Sequence, residues 1–514
     1  MIKRLYICIV ISVQVKNSGR KVKNIQAMRK RFEIETGIGQ TPISEIEINP
    51  KSKNALEQLV AALKEIYCKK EYNEKIFSIM ERYMPKASNN NGRPGMDLWK
   101  IFVLGQVRMC LGTSYEMLHH FANNDILLRK LMGISEIFGK APVEFEYQNI
   151  YDNVRKLSEE MLIELNDVIV AFGHREVFKK KETTALRLKT DSFVVESNVH
   201  FPTDYNLLWD CVRKCLDTVN YFLKKYPGIP GWRKVKNWRS EIKSLMRQVG
   251  RISGGGGKNK QEKLQEVALT YIEKSRLLVE KLELEKNNFP LGDLKDLAHR
   301  VALEEYIRLL IKHIDLVDRR ILKGEKIPHE EKMMSIFEDY TEWVVKGKFH
   351  PSVELGKKLS VTSDQFHLIV HHRVMSDEQD KDIAIKVADA VLSKYTNIYS
   401  MSFDKGHWRR ENKEVLELEI PLVILPKLGK RTAKEEELEN SRKYKVLKNK
   451  HSAIESNINE LEHRGLDRCP DRSYLHYKTY IAMGVCAYNL KKIGKKILEE
   501  RLKAILSQKL PKAA

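Results

Sequence analysis

The stretch LRLKTDSFVVESNVHFPTD, Leu186 to Asp204, carries apolar residues at strand spacing, yet an acid, Asp191, stands in its middle. A carboxylate inside a sheet is costly unless a partner stabilises its charge. A bound metal cation is one such partner, and it would need further oxygen ligands from elsewhere in the chain. The stretch therefore predicts a buried strand, and a metal ion bound there would require companion acids elsewhere in the chain.

The patterns that follow this strand predict an α/β fold. The segments GKKLSV, DQFHLIVHHRVM, IYSMSFDKG and IPLVILPK have strand character, and the last three are separated by the amphipathic helical segments DIAIKVADAVLSKY and RRENKEVLELE. Strands alternating with helices indicate an α/β layer with a mainly buried sheet. Residues 207 to about 323 are instead helical and basic, so we expect a long helical insertion into that layer.

Charge and composition indicate the kind of partner. The 514 residues include 91 Lys and Arg against 69 Asp and Glu, a formal charge of +22 that is spread along the chain. Such a balance favours a polyanion, most simply nucleic acid, although a basic protein without such a partner is the alternative. No apolar run reaches membrane-spanning length, so no membrane partner is expected. Seven cysteines without paired spacings favour a reduced, cytoplasmic location.

The region before Asp191 is predicted to be helical. Short helices joined by tight turns carry Arg108, Arg129 and Lys130, which suits a helix-turn-helix-like module, and a plain helical bundle is equally compatible. The first residues, MIKRLYICIVISVQVKN, imitate a signal peptide but lack a small-residue cleavage site. The predicted divisions are a partly disordered extension (1–49), an all-α DNA-binding domain (50–177), an α/β core (184–206 and 350–495), the insertion (207–349) and a basic tail (496–514).

Two further acids are candidates for the companions of Asp191. Asp404 ends a predicted strand, where open α/β sheets place ligands, although it could simply cap the next helix. Glu455 lies beside the apolar stripe of a late helix, although it could form a capping box with Ser452, and Glu460 is then the alternative acid. Two strand aspartates and a helical glutamate would form a cage for two divalent metal ions, which suits phosphoryl transfer on DNA.

Several segments resemble a known family. TDSFVVESNVHFPTD, SFDKGHW, HSAIESNINELEHRGLDRCPD and YNLKKIG are similar to the DDE transposases of bacterial insertion sequences, and GRPGMDLWKIFVLGQVRMCLGTSYEMLHHFANNDILLRKLMG resembles their helical N-terminal domain. The resemblance implies an RNase H-like core in which Asp191, Asp404 and Glu455 bind two Mg²⁺ or Mn²⁺ ions. It further implies cleavage at the ends of the element, joining of the 3′-hydroxyls to target DNA, a homodimer that pairs the ends, and a bacterial cytoplasmic location.

The sequence also departs from the family. Some relatives carry a tyrosine, an arginine and a lysine around the glutamate, where this chain has Lys448, His451 and Glu462. The insertion lies before the middle strands, whereas better-known members carry theirs after the second aspartate. The DNA contacts of those relatives therefore do not transfer directly, and Lys450 or Arg464 would have to serve instead.

One aromatic residue and several basic residues of this sequence are candidates for contact with DNA. Trp408, after Asp404, could stack on a splayed base, although core packing would also explain it. The residues predicted to contact DNA are Arg108, Arg129, Lys130, Lys405, His407, Trp408, Lys450 and Arg464. The alternatives to a transposase are a non-catalytic DNA-binding regulator, a decayed transposase, or a metal-dependent nuclease that cuts without joining.

Overall fold

The structure is a computed structural model that describes residues 30–32, 41–84, 95–134, 143–345 and 352–509. Within them the chain forms a mixed α/β fold with an open sheet of six strands, which confirms the predicted fold class at this level. The segment that imitates a signal peptide lies outside the described residues. Over the described ranges, no helix has the length and apolar character needed to cross a membrane.

The described residues before the first strand form short helices, and those after it form long helices and then alternating strands and helices. The short helices are α1 (Ala55–Cys68), α2 (Lys70–Tyr83), α3 (Leu98–Cys110), α4 (Tyr115–Asn124), α5 (Ile126–Leu131), α6 (Tyr147–Val154) and α7 (Glu159–Phe172). Strand β1 (Leu186–Glu196) is followed by α8 (Asp204–Lys225), α9 (Val235–Gly254), α10 (Lys260–Glu285) and α11 (Leu294–Val317). The last part contains β2 (Glu342–Val345), β3 (Val353–Ser363), β4 (Ile369–Val374), α12 (Asp380–Leu392), β5 (Ile398–Phe403), α13 (Arg410–Glu419), β6 (Leu422–Ile424), α14 (Ala433–Asn440), α15 (Arg442–His451), α16 (Ala453–Leu461) and α17 (Tyr474–Lys509).

The sheet is built around β1. Strand β3 runs antiparallel to β1 on one side, and β5 runs parallel to it on the other, followed by β6. Strands β2 and β4 both pair antiparallel with β3. Because β2 belongs to the sheet, the predicted insertion, which was drawn to residue 349, ends before Glu342.

The helices before β1 share one apolar core with the sheet. The 36-residue helix α17 connects them, because it packs against α1, α3 and α7 and also touches β4. Its Gly494 lies so close to α1 that an added Cβ would be 1.6 Å from the carbonyl oxygen of Gln58. The predicted boundary at 177 therefore does not separate two cores, and the predicted tail from 496 is, up to Lys509, the end of α17.

The inserted helices α8 to α11 bury a second apolar core of their own. Val212 on α8, Ile272 on α10 and Leu310 on α11 are each fully buried in it. Cys211 and Cys215 also lie buried there as free thiols. The insertion is therefore a helical unit attached to the sheet through the chain that enters and leaves it.

These two cores predict different behaviour for two fragments. Residues 200–338 should fold alone because their apolar faces cover one another, whereas residues 50–177 should not, because α17 covers theirs. Circular dichroism during urea unfolding should show a cooperative transition for the first fragment and a gradual loss of helix for the second. A sharp transition for residues 50–177 would contradict this division of the core.

Candidate functional site

Asp191 and Asp404 lie side by side because of the register between β1 and β5. Thr190 pairs with Phe403 in the parallel ladder, so the next residue of each strand is one of the two acids. Side chains alternate between the faces of a sheet, so both carboxylates lie on the same face. Strand β5 ends there while β1 continues, which leaves Asp191 half-buried and Asp404 exposed at the carboxyl end of its strand.

The alternative role of Asp404, as the cap of the next helical turn, is not adopted. Asp404 precedes the short turn Lys405–His407, but its side chain makes no capping hydrogen bond within the described residues. The carboxylate is therefore free of the local contact that would explain an acid at the end of a strand.

Glu455 lies in the first turn of α16, which packs against β1. The alternative role of Glu455, in a capping box with Ser452, is not observed. The Ser452 hydroxyl instead donates to the carbonyl oxygen of Asn449 at 2.9 Å. Glu460, the alternative acid, pairs with Lys491 at 2.5 Å and with Lys492 at 2.6 Å on α17. Glu455 is exposed, and it is the acid of α16 that influences Asp191.

Three other acids contribute to the pKa of Asp191. Burial and, to a smaller extent, the negative charges of Asp404, Asp380 and Glu455 together raise the pKa of Asp191 to about 6, although the backbone N–H of Ser192, which donates to its carboxylate at 2.7 Å, opposes the shift. A nearby positive charge would stabilise carboxylates that repel one another in a partly buried site.

The raised pKa predicts how stability changes with pH. Between the usual pKa near 3.8 and about 6, the folded protein holds the Asp191 proton more tightly than the unfolded chain does. The stabilisation from protonated Asp191 is therefore complete below pH 4 and is lost as the pH rises through 6. The Asp191→Asn protein should be more stable than the wild type at pH 7.5 by up to about 3 kcal/mol, and this difference should vanish near pH 4.

Thermal unfolding in EDTA at several pH values measures this effect, with the exposed Asp389 as the matched control. We expect Asp389→Asn to show a much smaller difference from the wild type. A constant offset between Asp191→Asn and the wild type from pH 4 to pH 7.5 would contradict the assignment of the shifted pKa to Asp191.

Sequence reasoning missed a fourth acid on the opposite face of β1. Asp380, the first residue of α12, accepts hydrogen bonds from the Ser192 hydroxyl at 2.5 Å and from Lys358 Nζ at 2.8 Å. Burial would raise the pKa of Asp380, but these two donors outweigh it and hold the pKa below its ordinary value. The signal was weak, because an acid in the first turn of a helix ordinarily serves the helix dipole.

Two histidines with buried nitrogens also surround Asp404. His407 is 1% exposed, and burial lowers the pKa of its ring. His451 Nδ1 lies 3.0 Å from the Ser402 hydroxyl, and burial lowers the pKa of His451 to about 4. Both rings are therefore neutral at pH 7. The prediction that His407 contacts DNA is corrected, since its ring is enclosed by the protein.

Two of the predicted DNA-contacting arginines also lie in the interior. Arg108 is 2% exposed, and its guanidinium forms two hydrogen bonds with Asp471, at 2.7 and 2.9 Å. Arg129 is 4% exposed and donates to the carbonyl oxygen of Val143 at 3.1 Å. These guanidiniums satisfy groups inside the fold, so both assignments to a DNA surface are corrected.

The other predicted DNA contacts are at least partly accessible. Lys130, Lys405 and Lys450 are exposed. Arg464 is half-buried and donates to the carbonyl oxygen of Cys110 at 3.3 Å. Trp408 is half-buried against the apolar core that the sheet shares with the helices before β1, which favours a packing role over stacking on a base.

A basic cleft opens beside the acids on the same face of the sheet. It has a volume of about 270 Å³, and its lining includes Lys189 and Ser402, each two residues before an acid of the pair. Arg187 and Lys450 add positive charge at the cleft. The face therefore joins a negative cluster to a positive groove, as a site for a phosphate chain with a cation requires.

The acids have the ligand chemistry that a divalent cation prefers, but their side chains are not positioned to hold one. Carboxylate oxygens are the ligands that Mg²⁺ and Mn²⁺ prefer, and a cation would reduce the repulsion that contributes to the raised pKa of Asp191. Over the described ranges, no group of three or more histidine, cysteine, aspartate or glutamate side chains is positioned to hold a metal ion. Binding would require the carboxylates to move closer together, which a cation favours by cancelling their repulsion.

Comparisons with protein-family models, curated proteins and solved structures found no match to this chain. The geometry of the acids and the surrounding charges are therefore the observations on which a function can be argued.

Proposed function

We propose that this protein is a DDE-type transposase with an RNase H-like core, which cleaves the ends of an insertion element and joins the 3′-hydroxyls to target DNA. The observation that carries the proposal is the register that sets Asp191 beside Asp404, with Glu455 close enough to contribute to the raised pKa of Asp191. The mixed sheet supports the RNase H-like interpretation, because both aspartates come from adjacent central strands.

Asp191, Asp404 and Glu455 would hold two Mg²⁺ or Mn²⁺ ions. When bound, such ions stabilise the attacking and leaving oxygens of a phosphodiester during in-line displacement. The protein contributes the carboxylates, whose positions are set by the two strands and by α16. The neutral rings of His407 and His451 add no positive charge beside Asp404, so the carboxylates keep their attraction for a cation.

The basic cleft supports DNA as the substrate. The exposed Arg187 and Lys450 line it next to the acids, where a phosphodiester chain would lie across both groups, whereas the buried Lys189 Nζ donates to the carbonyl oxygen of Asp364 at 2.9 Å. A duplex held there would bring its backbone to the carboxylates without base-specific contacts. Two element ends must meet for joining, so a homodimer is part of the proposal.

The test is incubation of the purified protein with Mg²⁺ and a plasmid that carries its reading frame and flanking DNA. A transposase should release a linear element and join its 3′ ends to a second plasmid. Broken ends without joined product would favour the nuclease, and binding without breaks would favour the regulator. Binding of Mg²⁺ can be measured without activity, because it should raise the melting temperature of the wild type and less that of Asp404→Asn.

A further inference from the structure

The outer face of α9 is a basic stripe without matching acids. Exposed residues on this face recur at spacings of three and four, which places them within one arc of the helix. They are Lys236, Ser240, Ser244, Arg247 and Arg251. Arg233 and Lys234 precede the helix, and Lys258 follows it; all three are exposed. We call Lys236, Arg247, Arg251 and Lys258 the α9 stripe.

The stripe has no partners in the part of the chain that the structure describes. The only carboxylate of α9, Glu241, lies on another face and pairs with Lys274 of α10 at 2.6 Å. Arg239, at the edge of the arc, pairs with Asp217. No ion pair involves the four stripe residues within the described ranges, so their charge is directed at solvent.

Several basic residues on or beside the neighbouring helices form ion pairs. Lys225 on α8 pairs with Asp293 at 2.8 Å and with Asp296 at 2.6 Å, and Arg308 on α11 pairs with Glu305 at 2.5 Å. Arg319, just beyond α11, contacts three acids. Single exposed lysines without an ion pair among the described residues occur elsewhere in the insertion, at Lys224, Lys263 and Lys326, whereas α9 and its flanks carry a contiguous group of them.

The other face of α9 argues against insertion of the helix into a membrane surface. Ile242 and Val249 are fully buried in the core of the insertion, so the apolar side of the helix is already covered. A helix that lies in a membrane surface needs that side for the lipid. No large apolar residue of α9 is among the exposed ones. The outer face offers the charges of the stripe and the hydroxyls of Ser240 and Ser244, which suits a phosphate backbone.

The dimensions also suit nucleic acid. Lys236 and Arg251 are fifteen residues apart, about 22 Å along the helix axis. Phosphates of one DNA strand follow at about 3.4 Å, so the stripe spans roughly six of them. Beyond the helix, Gly256 and Gly257 have no atom within 4 Å of an added Cβ, which leaves the backbone open to close approach.

We propose that the α9 stripe is a DNA-binding surface that holds the phosphate backbone of a duplex away from the three acids. Its place in a reaction rests on the proposed function, because the insertion would then anchor DNA whose cleavage occurs at the sheet. The binding itself does not depend on cleavage, so it can be tested separately.

The test uses the full chain and a fluorescent 40-base-pair duplex of arbitrary sequence. The stripe variant is K236Q/R247Q/R251Q/K258Q, and the control R276Q/K295Q/R308Q/K323Q removes the same charge from other exposed positions of the insertion. Anisotropy titrations between 50 and 300 mM salt should show at least about tenfold weaker binding for the stripe variant at 100 mM. Each lost phosphate contact lowers the salt slope by about 0.9, so a reduction of about two to four is expected.

The control should stay within about threefold of the wild type, and circular dichroism should show equal helix content for all three proteins. Equal weakening of both variants, or wild-type affinity of the stripe variant, overturns the proposal. Loss of binding to phosphatidylserine vesicles without loss of DNA binding also overturns it. If the stripe variant loses DNA binding but the wild type neither cuts nor joins DNA, the α9 surface stands and the transposase proposal fails.

Discussion

Replacing Asp404 with Asn is expected to lower metal-dependent DNA cleavage by on the order of 10³-fold or more, while DNA affinity stays close to that of the wild type. The amide keeps the shape of the side chain but removes the charge that a divalent ion requires. Because Asp404 is exposed and makes no capping bond, the substitution should not lower the stability of the fold. Cleavage of labelled plasmid and anisotropy of a labelled duplex measure the two effects separately.

The third acid provides the matched control for this experiment. Glu455→Gln should lose cleavage to a similar extent, whereas Glu460→Gln should retain it, since Glu460 is already neutralised by Lys491 and Lys492. The two residues lie on the same helix, so a general effect on α16 would appear in both variants. Normal cleavage by Glu455→Gln together with loss in Glu460→Gln would show that the third ligand is wrongly assigned.

Calcium separates binding from chemistry in the same assay. Ca²⁺ accepts more ligands in looser geometry than Mg²⁺, so it should support DNA binding and not cleavage. Cleavage in Ca²⁺ at the rate seen in Mg²⁺ would argue against two closely placed ions as the source of the chemistry.

The strand acids could be predicted from sequence because their signal is local. Asp191 interrupts an apolar strand and Asp404 ends one, and period-two alternation then places both on one face. The sequence does not reveal the register between the strands, and the register is what makes the two acids neighbours. Asp380, on helix α12, was missed for the same reason, since its partners Ser192 and Lys358 lie on strands β1 and β3.

The role of a basic residue is harder to predict, because it depends on contacts across long sequence distances. Arg108 was predicted to face DNA, but its partner Asp471 lies 363 residues away in the chain. The prediction of a separate N-terminal domain is wrong for the same reason, because α17, near the end of the chain, packs against α3. In contrast, the helices of the insertion pair mainly with each other, so its helical character was predicted from local periodicity.

Loss of the contact between Arg108 and Asp471 should destabilise the fold. Arg108 joins α3 to the segment before α17 through two hydrogen bonds to Asp471, and its guanidinium lies 4.0 Å from the ring centre of Tyr115 and 5.2 Å from that of Tyr480. Arg108→Met would keep the apolar volume but leave Asp471 without its cation. Removing one partner of a buried pair costs about 3 to 5 kcal/mol, and since Asp471 is 21% exposed we expect a loss of about 3 kcal/mol.

Urea unfolding followed by circular dichroism measures the loss, and Arg108→Met/Asp471→Asn should recover part of it because the unpaired charge is gone. Lys130→Met removes a charge from the exposed end of α5 and should change the free energy of unfolding by less than about 0.5 kcal/mol. Duplex affinity of Arg108→Met, measured where the protein is folded, should match that of the wild type. If the free energy of unfolding is unchanged and duplex affinity falls, Arg108 contacts DNA, and the conformation in which it is buried between α3 and α17 is not the one that binds DNA.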